Sequence, residues 1–421
     1  MPQEPFLARK FPALLSADYR NLWVGQIISA AGSQMQMAAL NWQIYDLTHS
    51  PIALGMIGLV RVLPIVFFSL LGGAFADSYD RRKLLLITQT VLTGVALALG
   101  ALSFRHATTL PGIYALTAVG AAAIAFDNPA RQALTPSLVP EEHLPNAYAL
   151  GSTGFQVATI AGPVLAGVVI AHFGIANAYL LNAASFLAVI GALVSLRFRP
   201  VVTGEPPMRP SWESLKEGIA FVRGTPILVT AMTLDFWATF FSSASALLPI
   251  FARDILNVGP EGFGLLAAFP AVGSLVAGVT LSLLPTIRRQ GRTILWSILV
   301  YGLATICFGV SRSFLLSALF LAGTGAADTV NTVLRQTIRQ TMTPDRLRGR
   351  MISINMIFFM GGPQLGELEA GLVARWIGPV LSVVTGGIGC VITAGYVAAR
   401  SPWLARYQLP PREKSETGSR R

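Results

Sequence analysis

A few ionisable side chains stand inside long stretches of Leu, Val, Ala, Ile and Phe, and these are the residues that could do chemistry. Thr324, Asp328, Asn331 and Arg335 are spaced four, three and four apart, which places them on one face of a helix. A carboxylate held in such an apolar stretch can bind and release a proton as its hydration changes. Asp328 is therefore read either as a protonatable group or as a structural acid paired with Arg335. Asp235, Thr239 and Ser242 likewise share a face, beside Phe236, Trp237, Phe240 and Phe241. Asp235 is expected to meet a cationic or hydroxylated small molecule, or to share the proton. Asp127 lies four residues before Arg131, so a local ion pair competes with any ligand contact. Gln34 and Asn41, seven apart, could line the same space, and Arg61, Glu367 and Glu369 are further charges within apolar runs. The four histidines have no metal-ligand spacing. Cys307 and Cys390 each fall within an apolar run, so neither a metal cluster nor a disulfide framework is expected.

The elements that must hold these residues follow from composition. Of 421 residues, 53% are hydrophobic and 12% charged, with a mean hydropathy of +0.60. The charges gather into short patches between apolar runs of about 20 residues, each able to cross a hydrocarbon core of roughly 30 Å. Twelve spans are predicted, at 21–45, 53–76, 84–104, 111–130, 146–171, 175–196, 226–252, 262–286, 291–311, 314–337, 350–374 and 377–399. The segment from Met1 to Asp18 lacks the apolar core of a cleavable signal. All but five of the 31 Lys and Arg fall on the side of the termini, the exceptions being Arg61, Arg105, Arg253, Arg312 and Arg375. That asymmetry makes both termini cytoplasmic and accounts for the net charge of +11 without a nucleic-acid partner.

An internal repeat organises the spans. Displaced by 204 residues, Arg131-Gln132, Pro140-Glu141, Ala158, Gly162, Ala166-Gly167 and Gly174 meet Arg335-Gln336, Pro344-Asp345, Gly362, Gly366, Ala370-Gly371 and Gly378. Displaced by 206, Gly58, Pro64 and Gly72 meet Gly264, Pro270 and Gly278. The chain thus reads as a six-helix bundle over 1–196, a cytoplasmic linker over 197–225, a second bundle over 226–399 and a cytoplasmic tail over 400–421. Halves of this kind place a small-molecule path between them, opened by rocking of one against the other. Small residues recur every four positions at Gly154, Ala158, Gly162 and Ala166. They serve either ordinary tight packing or packing at the moving seam.

Several motifs together are similar to the major facilitator superfamily. The run Gly73-x-x-x-Asp77-x-x-x-Arg81-Arg82 resembles its loop signature after the second helix, and Gly162-Pro163-x-x-Ala166-Gly167 resembles the fifth-helix motif of its antiporters. The segments Asp127-Asn128-Pro129-Ala130-Arg131-Gln132 and Thr343-Pro344-Asp345-x-x-x-Gly349-Arg350 look most like the drug and siderophore exporter branch, which includes enterobactin exporters and macrolide efflux proteins. Two features depart from the pattern. Ser78 and Asp80 replace the usual Arg and Gly of the loop, and 111–126 holds no basic residue where many drug:proton antiporters carry an arginine.

The resemblance implies an all-α integral membrane protein of twelve transmembrane helices in two pseudo-symmetric six-helix bundles. It implies that helices one, four, seven and ten line the cavity, which puts Asp127, Asp235 and Asp328 on three of them. Asp77, with Gly73, Arg81 and Arg82, would close the cytoplasmic side by accepting hydrogen bonds from the start of helix eleven near Arg350, or by pairing with Arg131. Arg61 and Glu367 lie roughly 24 and 25 Å above that loop on their helices. Arg61 is therefore expected to pair with Glu367 or Glu369 when the outer side is closed. The implied activity is secondary export of a small amphipathic molecule, a siderophore or hydrophobic drug, by alternating access with proton antiport. No cofactor is implied, and the expected partners are cargo and lipid bilayer. The expected state is a monomer in a bacterial inner membrane. The same fold would serve an importer or flippase of a metabolite or lysophospholipid, or a sensor that does not transport. An enzyme is not expected, because no nucleophile elbow, zincin motif or phosphate loop is present.

Overall fold

A computed structural model describes residues 10–197, 220–285, 287–344 and 348–408. All regular structure among them is helical. The helices are α1 (Ala17–Thr48), α2 (Pro51–Ser78), α3 (Arg81–Phe104), α4 (Leu110–Leu134), α5 (Leu144–Phe173) and α6 (Ile175–Ser195) in the first group. The second group holds α7 (Pro226–Phe241), α8 (Gly259–Leu283), α9 (Gln290–Val310), α10 (Phe314–Met342), α11 (Arg348–Ile377) and α12 (Pro379–Arg400), followed by the short α13 (Pro402–Arg406). The end of the bundle away from both chain termini is called the far end below.

Helix starts are set by side chains that take up otherwise unpaired amides. Ser16, Ser50 and Thr109 accept from Tyr19, Ala53 and Gly112 to cap α1, α2 and α4. Gly174 (φ 83°) and Gly378 (φ 89°) each form the one-residue junction before α6 and α12. They are equivalent under the 204-residue offset, and a positive φ of this kind is open to glycine at little cost.

Ten helical segments among the described residues are long and apolar enough to cross a membrane. Helices α1 and α11 are as long but are not among the ten. Polarity explains α1, which carries Gln26, Ser29, Ser33, Gln34, Gln36, Asn41 and Gln43. The seventh span differs from the continuous helix expected over 226–252. It stops at Phe241 and resumes as a 3-10 turn (Ala244–Leu247), a single α-turn (Leu248–Ile250) and a π-turn (Phe251–Ile255). Pro249 stands in the first turn of the resumed segment, where its missing amide hydrogen has no helical partner to lose. The Ser243 hydroxyl meets the carbonyls of Thr239 and Pro363 beside the break.

The packing repeats. In the first group α1 lies against α5 and α6, α2 against α4, and α3 against α4 and α6. In the second, α7 lies against α11 and α12, α8 against α10, and α9 against α10 and α12. The groups meet along two seams, α2 on α11 and α5 on α8. At the first, a Cβ added to Gly58 would lie 2.5 Å from the Gln364 carbonyl and 2.7 Å from Glu367 Oε2. At the second, a Cβ added to Gly264 would lie 2.3 Å from the Pro163 carbonyl. Gly58 and Gly264 are 206 residues apart, and Pro163 and Glu367 are 204 apart. The seams are therefore equivalent under the internal repeat, and both use glycine for backbone approach.

Candidate functional site

The second group carries a buried ion pair between two of its helices. Arg335 Nη1 on α10 pairs with Asp235 Oδ2 on α7, and Asn331 Nδ2, one turn earlier on α10, donates to Asp235 Oδ1 at 2.9 Å. Both carboxylate oxygens are thus engaged, and the Asp235 and Arg335 side chains are only 3% and 8% exposed. The i, i+4 spacing of Asn331 and Arg335 lets one face of α10 grip a single carboxylate. The expected alternative of Asp328 paired with Arg335 is corrected, because the guanidinium turns to α7. Asp328 makes no hydrogen bond or ion pair to another described residue, and it lines a small cavity with Ala238, Thr239, Ser297, Tyr301 and Asn331.

The equivalent place in the first group is built differently. Arg131 Nε and Nη2 reach Asp127 Oδ2 at 3.0 and 2.6 Å, while Thr88 Oγ1 and Gln89 Nε2 of α3 donate to Asp127 Oδ1 at 2.8 and 2.7 Å. Asp127 and Arg131 stand 204 residues before Asn331 and Arg335. In the first group the acid sits on the arginine's own helix. In the second an amide has replaced it, and the acid comes from α7, so the same arginine ties two helices. Of the two partners expected for Arg131, the structure supplies Asp127. Gly73, Asp77 and Arg350 lie outside the residues whose side chains are described.

Among the described residues, the basic run after α2 makes its hydrogen bonds within the first group. Asp80 caps α3 by accepting from the amides of Arg82 and Lys83 at 2.9 and 3.3 Å. Arg81 Nη1 donates to the Ala133 carbonyl at the end of α4, and Arg82 donates to the Val194 and Leu196 carbonyls at the end of α6. Both arginines thus supply hydrogens and positive charge to helix C-termini, which favour cations. Among the described residues they act as staples between helix ends. Gln34 Nε2 donates to Thr159 Oγ1 on α5 at 3.1 Å, and Asn41 Oδ1 is buried without a hydrogen-bond partner. The aromatic residues beside Asp235 lie against neighbouring helices. Phe236, Phe240 and Phe241 pack against Gly361, Gly366, Gly386 and Gly389 of α11 and α12, while Trp237 stacks on Phe241.

Gly162 packs on Ala31, Gln34 and Met35 of α1, whereas Pro163 and Gly167 face Gly264, Pro260 and Glu261 of α8. The fifth-helix motif therefore joins an internal contact to a seam. At the other seam, Arg61 interacts electrostatically with Glu367, but they form no ion pair within 4 Å, and Glu367 Oε2 is buried without a partner. Glu369 makes no ion pair or hydrogen bond to another described residue, which removes the second partner expected for Arg61.

The contacts that close the far end were not found from sequence. Arg253 pairs with Asp46, and the Tyr45 hydroxyl meets Asp254, joining the end of α1 to the π-turn beyond α7. His172 on α5 approaches Glu261 on α8 at 3.5 Å. Nearer the middle of the same seam, Gln156 Nε2 donates to the Ala271 carbonyl at 2.8 Å. A signal for the first pair exists in the chain. Asp46 and Arg253 are 207 residues apart, close to the repeat offset, so they lie at nearly equivalent places in the two groups.

Two equivalent seams, a twice-used arginine position and a far-end closure now describe the molecule. Residues 9–417 match the family described as transmembrane secretion effector. The chain belongs to that family. It is a member of the major facilitator superfamily, a membrane transporter and not an enzyme. Its relatives include the enterobactin exporter EntS of Citrobacter koseri, 27% identical over 398 residues and covering 93% of this chain and 94% of that one. The EntS of Escherichia coli is 26% identical over 406 residues, covering 95% and 96%. Among solved structures, a bacterial homolog of the human lysosomal transporter Spinster, inward-facing and occupied, matches with a TM-score of 0.73 at 14% identity, covering 97% of this chain and all of that one. A bacterial homologue of the iron transporter ferroportin, inward-facing, matches with a TM-score of 0.67 at 15% identity, covering 91% and 99%. At these identities the two structures speak for the fold alone.

Proposed function

We propose that this transporter exports a small amphipathic molecule, a siderophore or hydrophobic drug, across a bacterial inner membrane by alternating access with proton antiport. The observation that carries the reading is the α7–α10 tie with a free carboxylate beside it. A buried ion pair contributes little net stability over an apolar replacement, so its value lies in position and in being breakable. Asp328, which lines the small cavity beside that pair and makes no hydrogen bond or ion pair to another described residue, is the group best placed to take up the proton, and Asp235 the group whose release would free α7 from α10.

The relatives named enterobactin exporter support a siderophore as cargo. Alternating access is supported by the two equivalent seams and by the cross-group contacts at the far end, Asp46 with Arg253, Tyr45 with Asp254 and His172 with Glu261. The two groups act as N-terminal and C-terminal halves over 1–196 and 226–399, with the linker 197–225, the tail 400–421 and both termini cytoplasmic. On that orientation the far end is periplasmic, and the ion pair between Asp46 and Arg253 is a periplasmic contact between the halves. Expression in siderophore-producing cells that lack their own exporter tests the reading. Restored secretion into the medium, lost in Asp328→Asn, is the expected result; intracellular retention unchanged by the transporter overturns it.

A further inference from the structure

The start of α9 lies under the chain that follows α12. A Cβ added to Gly291 would run into the Leu404 carbonyl, so glycine lets α13 cross the first turn of α9 at backbone distance. The Gly291 amide, one of the unpaired donors of that turn, donates to the Tyr407 carbonyl at 3.4 Å, and Leu404 joins a buried cluster with Ile294 and Leu295. Main chain and an apolar side chain therefore close this end of α9.

The start of α3 is finished by arginines instead. Arg81 and Arg82 donate to the carbonyls that end α4 and α6. Arg288 and Arg289, at the corresponding place before α9, are exposed, as are Arg292, Arg400 and Arg406. None of these five makes a side-chain hydrogen bond or ion pair to another described residue. No acidic residue occurs in α9, α12 or α13. Positive charge is gathered here and left uncommitted.

Aromatic rings lie beneath it. Trp296 follows Arg292 on α9 and Tyr396 precedes Arg400 on α12, each at the i, i+4 spacing that puts a pair on one face. Because α9 runs away from the end that carries the chain termini and α12 runs back to it, both rings sit one turn deeper in the membrane than their arginines. They are 57% and 63% exposed, and Trp403 on α13 is 48% exposed. Helices α9 and α12 pack on each other, with Gly302 against Gly387 and Cys390, so both pairs border one edge of the bundle.

We infer that this edge binds an anionic phospholipid of the adjoining leaflet, with its phosphate among Arg292, Arg400 and Arg406 and its glycerol and upper acyl chain against Trp296 and Tyr396. Exposed guanidiniums match a phosphate by paired, charge-assisted hydrogen bonds, whereas a zwitterionic headgroup brings its own cation. An acidic soluble protein would match the charge but not the rings, which lie at the depth of lipid. The inference rests on the orientation proposed above only for which leaflet supplies the lipid. Binding requires neither cargo nor flux, so its failure leaves the export reading standing.

The test is thermal unfolding of the purified full-length transporter in detergent, titrated with cardiolipin, phosphatidylcholine or inorganic phosphate. Cardiolipin is expected to raise the unfolding midpoint saturably and the other two to leave it unchanged, because a ligand that binds only the folded state stabilises it by mass action. Arg292→Gln combined with Arg400→Gln should raise the cardiolipin concentration for half effect about twenty-five-fold, each arginine at a membrane surface contributing about fivefold. Lys83→Gln combined with Arg197→Gln removes the same charge from exposed positions of the first group, and should raise it by about threefold at most. The absence of a cardiolipin shift overturns the inference, as does an equal shift in inorganic phosphate or phosphatidylcholine. Equal effects of the two double variants also overturn it, since diffuse positive charge would then suffice.

Discussion

Breaking the α7–α10 tie should have an unequal cost depending on which partner is removed. Arg335→Met leaves Asp235 and Asp328 as two buried acids with no cation, whereas Asp235→Asn leaves one acid and one arginine on the same face of α10. Removing one member of a buried pair typically costs about 3–5 kcal/mol, mostly from the stranded charge. Arg335→Met should fall in that range. Asp235→Asn should cost less, about 1–2 kcal/mol, because Arg335 retains Asp328 as a substitute partner two turns away on α10 and the new amide can still hydrogen-bond. The double variant Asp235→Asn with Arg335→Met should be closer to the unmodified protein than Arg335→Met alone, since one of the two stranded acids is gone. Unfolding midpoints in a titration of mixed micelles with sodium dodecyl sulfate give the order. If Asp235→Asn proves the more damaging single change, or if the two costs simply add, the charge count behind the site is wrong.

Other perturbations follow from the same geometry. Arg131→Met should cost only about 1–2 kcal/mol, because Asp127 keeps the Thr88 and Gln89 donors and Arg131 is already 26% exposed; a loss as large as that of Arg335→Met would contradict this. Reversing Asp46 or Arg253 alone, whose side chains are 47% and 36% exposed, should shift the far-end equilibrium by no more than about fivefold, and the exchanged pair should restore flux. Gly264→Val should leave each half folded but hold the far end open, since its first carbon would already meet the Pro163 carbonyl at 2.3 Å; unchanged protection of a cysteine placed at position 260 would refute that. Arg82→Ala should lower stability by about 1 kcal/mol without altering flux per folded molecule, and a specific loss of flux would refute this and assign Arg82 to a gate.

The helical membrane fold was legible because it depends on composition and spacing alone. Long apolar runs leave a chain few options in lipid, and repeated glycines at fixed offsets reveal equivalent seams. The faces of single helices were legible too, which is why Asp127 with Arg131 and the stripe Asp328, Asn331, Arg335 were recognised. Partner choice between helices was not. Whether Arg335 turns to Asp328 on its own helix or to Asp235 across the bundle depends on helix rotation, which spacing does not encode. Nor does spacing show that Phe236 and Phe241 fit Gly361 and Gly389 of α11 and α12, because those glycines are remote in sequence. Arg81 and Arg82 belonged to a familiar motif, yet their hydrogens go to carbonyls that exist only because α4 and α6 happen to end there. The Asp46–Arg253 pair could have been found by asking which charges lie one repeat apart.

The central claim is that carboxylates of α7 and α10 couple a proton gradient to cargo movement. Proteoliposomes holding the transporter, an imposed pH gradient and a catecholate siderophore test it directly, with cargo flux and internal pH followed together. The account predicts cargo movement opposite to the proton gradient, proton flux that depends on cargo, and loss of both in Asp328→Asn with a marked reduction in Asp235→Asn. Cargo movement indifferent to the gradient and unaltered in both variants would contradict it.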